Sequence, residues 1–87
     1  MQRTDFDTPV MIALGGPRQR RKVKTIAEAA NCLRNKSWPA RHKPFSRIAE
    51  RTLDAVRTGH VTLAEAREAF ADAALEARLL VSRQTQH

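Results

Sequence analysis

Hydrophobic and polar positions change their spacing along the chain, and the first two spacings are those of β-strands. Residues 10–14 form a continuous apolar run between Pro9 and a Gly-Gly-Pro segment, which predicts a mostly buried strand. Over residues 20–25, basic side chains occupy every second position, as on a strand with one solvated face. The two segments predict a β-hairpin, and we expect the polar residues 1–8 before it to be loosely held.

A first helix is predicted from Thr25 and Glu28, which have the spacing of a capping box. In this motif the hydroxyl and the carboxylate each accept a hydrogen bond from a backbone N–H at the helix start. The apolar residues that follow recur on one helical face: Ile26, Ala29, Ala30 and Leu33. Residues 35–39 are expected to end the helix, with Trp38 at the edge of the core.

A second helix is predicted to begin at Pro44 or Phe45 and to run to about Thr58, since proline favours the first helical turn. Its expected apolar face consists of Phe45, Ile48, Ala49, Leu53 and Val56. Gly59 is expected to end it as a left-handed cap, because glycine reaches that conformation without a Cβ clash.

A third helix is predicted from Thr62 and Glu65, which repeat the capping-box spacing, to about Ser82. Its apolar stripe is Ala66, Phe70, Ala73, Ala74, Ala77, Leu80 and Val81. The predicted fold class is therefore α+β, an N-terminal β-hairpin followed by three α-helices. An 87-residue chain has room for one core. We predict a single small domain over residues 1–87, with an ordered core over about 6–82 and frayed termini.

Charge changes this picture, because the whole net charge of +7 comes from the middle of the chain. Residues 18–47 contain ten lysines and arginines against one acid, Glu28, which gives +9 for this block. A basic cluster of this kind favours an anionic partner, with nucleic acid as the first candidate. The candidate anion-binding residues are Arg18, Arg20, Arg21, Lys22, Lys24, Lys36, Arg41, Lys43 and Arg47.

Two other interpretations of the basic block remain open. Basic residues on an exposed edge strand also prevent edge-to-edge aggregation. Alternatively, the block faces an acidic protein surface, which in a homodimer would be the ridge predicted on the third helix opposite its apolar stripe. That ridge consists of Glu65, Glu68, Asp72 and Glu76. It argues against a DNA-binding helix-turn-helix, whereas pairing of two hairpins in a dimer would give a four-stranded sheet.

The sequence offers little chemistry for catalysis. His42, His60 and His87 are far apart along the chain, and there is no phosphate-binding loop, metal-ligand pair or nucleophile motif. We therefore expect no enzyme activity, cofactor, metal or small-molecule substrate. Cys32, the single cysteine, is expected to be an inert apolar residue. No apolar segment is long enough to span a membrane, so we expect a cytoplasmic protein with no membrane partner.

Several short motifs resemble a known family. They are Pro9-Val10, Trp38-Pro39, Gly59, Ala66-Arg67, Phe70 and Ala73-Ala74. Together they resemble the domain of unknown function 982 family of small bacterial proteins, known mainly from rhizobia and their relatives, over roughly residues 6–81. The resemblance implies a bacterial cytoplasmic protein and contributes no catalytic residues. The sequence thus predicts a non-enzymatic binding module for nucleic acid or another polyanion, or alternatively a homodimeric structural or protein-interaction module.

Overall fold

A computed structural model describes residues 5–15, 18–39 and 42–82 of the chain. The predicted hairpin is present, and a short third strand at the end of the chain extends it to a three-stranded sheet. The elements are β1 (Asp5–Ala13), β2 (Arg20–Thr25), α1 (Ile26–Arg34), α2 (Pro44–Arg57), α3 (Leu63–Glu76) and β3 (Leu80–Ser82). This confirms the α+β class with its hairpin and three helices.

The sheet is antiparallel, with strand order β2-β1-β3. In this order β2 is an edge strand. In its register with β1, Ala13 pairs with Arg20 and Met11 with Lys22. Because β3 occupies the other side of β1, the four-stranded sheet expected from two paired hairpins is wrong. Association of two such sheets through β2 would give six strands.

Strand β1 begins at Asp5, so the expectation of a loosely held segment over residues 5–8 is wrong. Its register against β2 shifts between Asp5 and Val10. Pro9 lies within this irregular stretch, where a residue without an N–H donor is tolerated in a sheet. The Arg67 guanidinium on α3 donates to the Thr8 carbonyl oxygen and so fixes the segment to the helical layer.

The helix boundaries follow the local signals for the most part. Thr25 caps α1 by accepting from the Glu28 N–H at 3.1 Å, but the Glu28 carboxylate accepts from the Lys24 N–H rather than from Thr25. At α1 the hydrogen bond to the glutamate therefore comes from Lys24, one residue before the predicted donor. At α3 both halves of the box form between Thr62 and Glu65.

The end of α3 differs from the prediction. The helix ends at Glu76. After a short turn the chain forms β3, so Leu80 and Val81 belong to a strand. Backbone pairing explains the change, because Leu80 pairs with Ile12 on the open edge of β1. A hydrogen bond from the Ala13 N–H to the Leu79 carbonyl oxygen continues this pairing.

The core lies between the sheet and the helices, with Trp38 near its centre rather than at its edge. This side chain is 1% exposed, and its ring centroid lies 5.7 Å from that of Phe70 on α3. Its indole N–H donates to the Ser46 hydroxyl on α2 at 2.9 Å. On α2, Ala49 and Leu53 are buried as expected, but Phe45 and Ile48 are exposed.

Candidate anion-binding surface

The predicted anion-binding residues are exposed wherever the structure describes them. These are Arg18 in the hairpin loop, Arg20, Arg21, Lys22 and Lys24 on β2, Lys36 after α1, and Lys43 and Arg47 at the start of α2. Arg41 lies outside the described residues. These eight predicted residues therefore present their cationic side chains to solvent, on four parts of the fold.

The sheet divides the bases of β2 between its two faces. Val23 is fully buried and points to the core, so Lys22 and Lys24 beside it point to the opposite, outer face. On that face Arg20 lies opposite Ala13, and Lys22 lies opposite Met11, both half-buried neighbours on β1. The outer sheet face thus combines small apolar side chains with a row of bases.

At one end of this face the structure forms an open groove of about 780 Å³. Its polar side chains come from separate parts of the chain: Arg20 from β2, Ser37 from the segment after α1, and Arg78 from the turn between α3 and β3. Ala13, Gly15, Leu79 and Val81 complete the lining. Two guanidinium groups and a hydroxyl that share one groove can donate several hydrogen bonds to a single anionic group.

Arg78 is the residue of this groove that the sequence pattern missed. Its φ angle is 61°, in the left-handed region where glycine is usual. The Arg78 N–H donates to the Leu75 carbonyl oxygen and the Leu79 N–H to that of Ala74, the two bonds of a Schellman motif. Gly59 holds the equivalent position after α2, as predicted, with a φ of 81°. The apolar run at residues 79–81 is typical of a strand, and it was the signal in the sequence for a helix end before it.

Other bases lie apart from this groove. Arg21 and Lys22 line a second, smaller groove with Glu28, Asn31 and Cys32, where α1 packs beside β2. Lys36, Lys43 and Arg47 line neither of these grooves. The structure therefore brings Arg20 together with Arg78, while Lys22 and Lys24 extend the basic row along the sheet.

Two ion pairs of the described residues lie away from β2. They join Arg57 to Asp54 at 3.7 Å and Arg67 to Glu68 at 3.2 Å. Glu28, the one acid of the basic block, accepts a hydrogen bond from the Lys24 backbone N–H. The positive charge of the sheet surface is therefore not neutralised by these pairs.

Cys32 has the properties of a core residue. It is 1% exposed, and its burial raises the pKa of the thiol above its usual value of 9.0, while a hydrogen bond and the charge of Arg21 act in the opposite direction. The protonated thiol dominates at neutral pH and is a poor nucleophile. Within the described parts of the chain, no group of three or more potential metal ligands occurs.

The apolar stripe of α3 is buried and Glu65 and Glu68 are exposed, so the acids lie on the face of the helix opposite its stripe, as the pattern predicted. Glu65, Glu68 and Asp72 line a groove with Phe45 and Ile48 of α2. Acidic and exposed apolar side chains therefore share one face of the helical layer. None of the helices in the described segments is long and apolar enough to cross a membrane.

The model of the family described as Protein of unknown function (DUF982) matches residues 8–81. The chain belongs to this family. The DUF982 chain is also similar to the Agrobacterium tumefaciens protein Atu1219, whose structure was determined by NMR. The two share 29% sequence identity with a TM-score of 0.73, and the alignment covers 95% of this chain and 81% of that one. No curated protein matches the chain.

Proposed function

We propose that this DUF982 chain is a non-enzymatic module that binds a polyanion, with nucleic acid as the first candidate, through the outer face of its sheet. Arg78 carries the proposal. A left-handed conformation costs a non-glycine residue on the order of 1–2 kcal/mol. A basic residue kept at such a position, in a groove that Arg20 also lines, is an example of the local strain that accompanies binding sites.

The row of bases beyond the groove supports a polymeric ligand rather than a single small anion. Lys22 and Lys24 follow Arg20 on the same face of β2, and alternate strand residues are about 6.5–7 Å apart. Successive phosphates of a nucleic-acid strand have a similar spacing. A strand that entered the groove at Arg20 and Arg78 would meet these lysines along the sheet.

The side chains between the bases favour contacts with the phosphates of a nucleic acid over contacts with its bases. Ala13, Met11 and Val81 are aliphatic, and the described lining of the groove contains no aromatic ring on which a base could stack. Contacts would therefore be made mainly with phosphates, which carry no sequence information. We propose binding with little sequence preference and strong dependence on salt.

Fluorescence anisotropy with labelled mixed-sequence oligonucleotides, single- and double-stranded, tests the proposal. About four phosphate contacts predict a roughly 100-fold loss of affinity between about 50 and 200 mM salt. No binding at the lower salt concentration, or an affinity that salt does not change, would overturn the proposal. Lys22→Glu should weaken binding and leave the circular dichroism spectrum unchanged.

Arg78→Gly separates binding from stability. Glycine relieves the left-handed backbone, so this variant should be at least as stable as the wild type, while it binds roughly 5- to 10-fold more weakly and shows a salt slope reduced by about one. Arg57→Gln is the matched control, because it also removes one exposed guanidinium, on α2. Equal loss of affinity in the two variants would show that only net charge matters and would exclude the groove.

A further inference from the structure

The helical layer leaves apolar surface uncovered between α2 and α3. Phe45 is 46% exposed and Ile48 is 44% exposed, although both lie on the face of α2 that the sequence pattern assigns to the core. They form one wall of a groove of about 410 Å³, and α3 forms the other. Leu75, 52% exposed, lies one turn beyond Asp72 and extends the same face. Large apolar side chains that adjoin one another on a small domain indicate an interaction surface.

Charge is divided between the two helices that form this groove. Helix α3 contains four acids and one arginine, and three of these acids line the groove: Glu65, Glu68 and Asp72. Helix α2 contains three arginines and two acids. Arg51 lies one turn after Ile48 and is exposed. The α3 side of the groove is therefore acidic, and an exposed base follows the apolar side chains on α2.

We propose that this face binds a second copy of the chain in a twofold symmetric dimer, in which α2 of each protomer lies over α3 of the other. The proposal does not depend on polyanion binding, since it involves the helices and not the sheet. A partner for this face must offer apolar side chains flanked by bases. Phe45, Ile48 and Arg51 of a second copy meet that requirement.

The charges also select the direction of the symmetry axis. A twofold axis in the plane of contact and perpendicular to the helices would place α3 on α3 and bring the carboxylates together. An axis parallel to the helices places α2 on α3 instead. Because Ile48 lies beside residues 64–72 in its own protomer, this second axis brings Arg51 of one copy near Glu68 of the other. The Glu68 side chain, which also pairs with Arg67, is 60% exposed.

Sedimentation velocity of the full chain over a concentration series tests the dimer. Phe45→Ala should weaken association at least about tenfold and leave the circular dichroism spectrum unchanged, since the side chain is half-exposed in the protomer. Lys22→Glu is the control: it reverses one charge on the sheet and should leave association unchanged. A wild-type chain that stays monomeric up to about 1 mM would overturn the proposal and would favour a different basic partner for the groove.

A charge exchange between two variants tests the arrangement itself. Arg51→Glu alone and Glu68→Arg alone each place like charges at both symmetric contacts, so each variant should associate at least about tenfold more weakly than the wild type. When they are mixed, both contacts regain opposite charges, and a one-to-one heterodimer should form. Failure of the mixture to associate, while the wild type dimerises, would exclude this arrangement.

Discussion

At the scale of single residues, the thiol of Cys32 illustrates how burial controls chemistry in this protein. The side chain is 1% exposed on the inner face of α1, and loss of hydration disfavours the thiolate, which raises the pKa. Arg21 only partly offsets the effect. The residue therefore fills space in the core and does not act as a nucleophile at neutral pH.

The pKa shift predicts how stability depends on pH. Because the thiol pKa is higher in the folded chain than in the unfolded chain, its contribution is complete below the unfolded value and is lost as pH rises towards the folded value. We expect the wild type to lose free energy of unfolding as the pH rises above 9.0, the ordinary pKa of the thiol. Cys32→Ala, less stable throughout, should lack this component. Urea unfolding of both proteins at each pH measures it, and parallel pH profiles would contradict the prediction.

At the scale of secondary-structure elements, helix ends depend on single side chains. Thr62 and Glu65 form a reciprocal capping box, whereas α2 begins at Lys43 without a side-chain cap and has proline in its first turn. Helix α3 is rich in alanine and packs against both α2 and β1, so its position influences the core and the groove alike. Its N-terminal cap is therefore expected to matter for the whole fold.

Thr62→Ala should lower the free energy of unfolding by about 1 kcal/mol, because the Glu65 N–H loses its acceptor at the helix start. Thr52→Ala is a matched control within α2. The Thr52 hydroxyl donates to the Ile48 carbonyl oxygen, which already belongs to the helix, and alanine has the higher helix propensity. Thermal unfolding should show a lower midpoint for the Thr62 variant only. An equal effect in both would argue against the cap.

At the scale of the whole molecule, Trp38 connects parts of the chain that are distant in sequence. It contacts Phe70 of α3 and donates a hydrogen bond to Ser46 of α2, which is 2% exposed. A buried hydrogen bond of this kind stabilises little in net terms, but losing one partner leaves the other without hydration. The bond therefore fixes how the segment after α1 packs on α2.

Ser46→Ala should cost about 1–3 kcal/mol, because the buried indole N–H then has no acceptor. Trp38→Phe removes the donor and opens a cavity, so it should also destabilise the fold. The double variant should lose clearly less than the sum of the two, since no polar group is left unpaired. Denaturant unfolding of the four proteins gives the coupling, and additive losses would show that the hydrogen bond contributes nothing.

Two surfaces on different layers of the molecule are the basis of the proposed functions. The outer face of the sheet presents bases around Arg20 and Arg78, and the helical layer presents an apolar groove with acids. We propose that the first binds a polyanion and the second a copy of the chain. A dimer would carry two basic faces, which would raise the affinity for a long polyanion through multivalency.

The sequence by itself determined those features that rest on contacts between neighbouring residues. Strand β2, the Thr25 and Thr62 caps and the Gly59 stop all appear where predicted, because each depends on a side chain or a backbone angle within about four residues. The exposure of Arg20, Lys22 and Lys24 on one face of β2 followed in the same way from strand alternation.

Tertiary structure decided what depends on partners far along the chain. Leu80 and Val81 fit the helical stripe as well as a strand, and pairing with the open edge of β1 selected the strand. Burial of Phe45 and Ile48 would require a further layer over α2 and α3, which this packing leaves open. Arg78 and Arg20 line the same groove because the chain returns to the sheet after α3, an arrangement that no local pattern encodes.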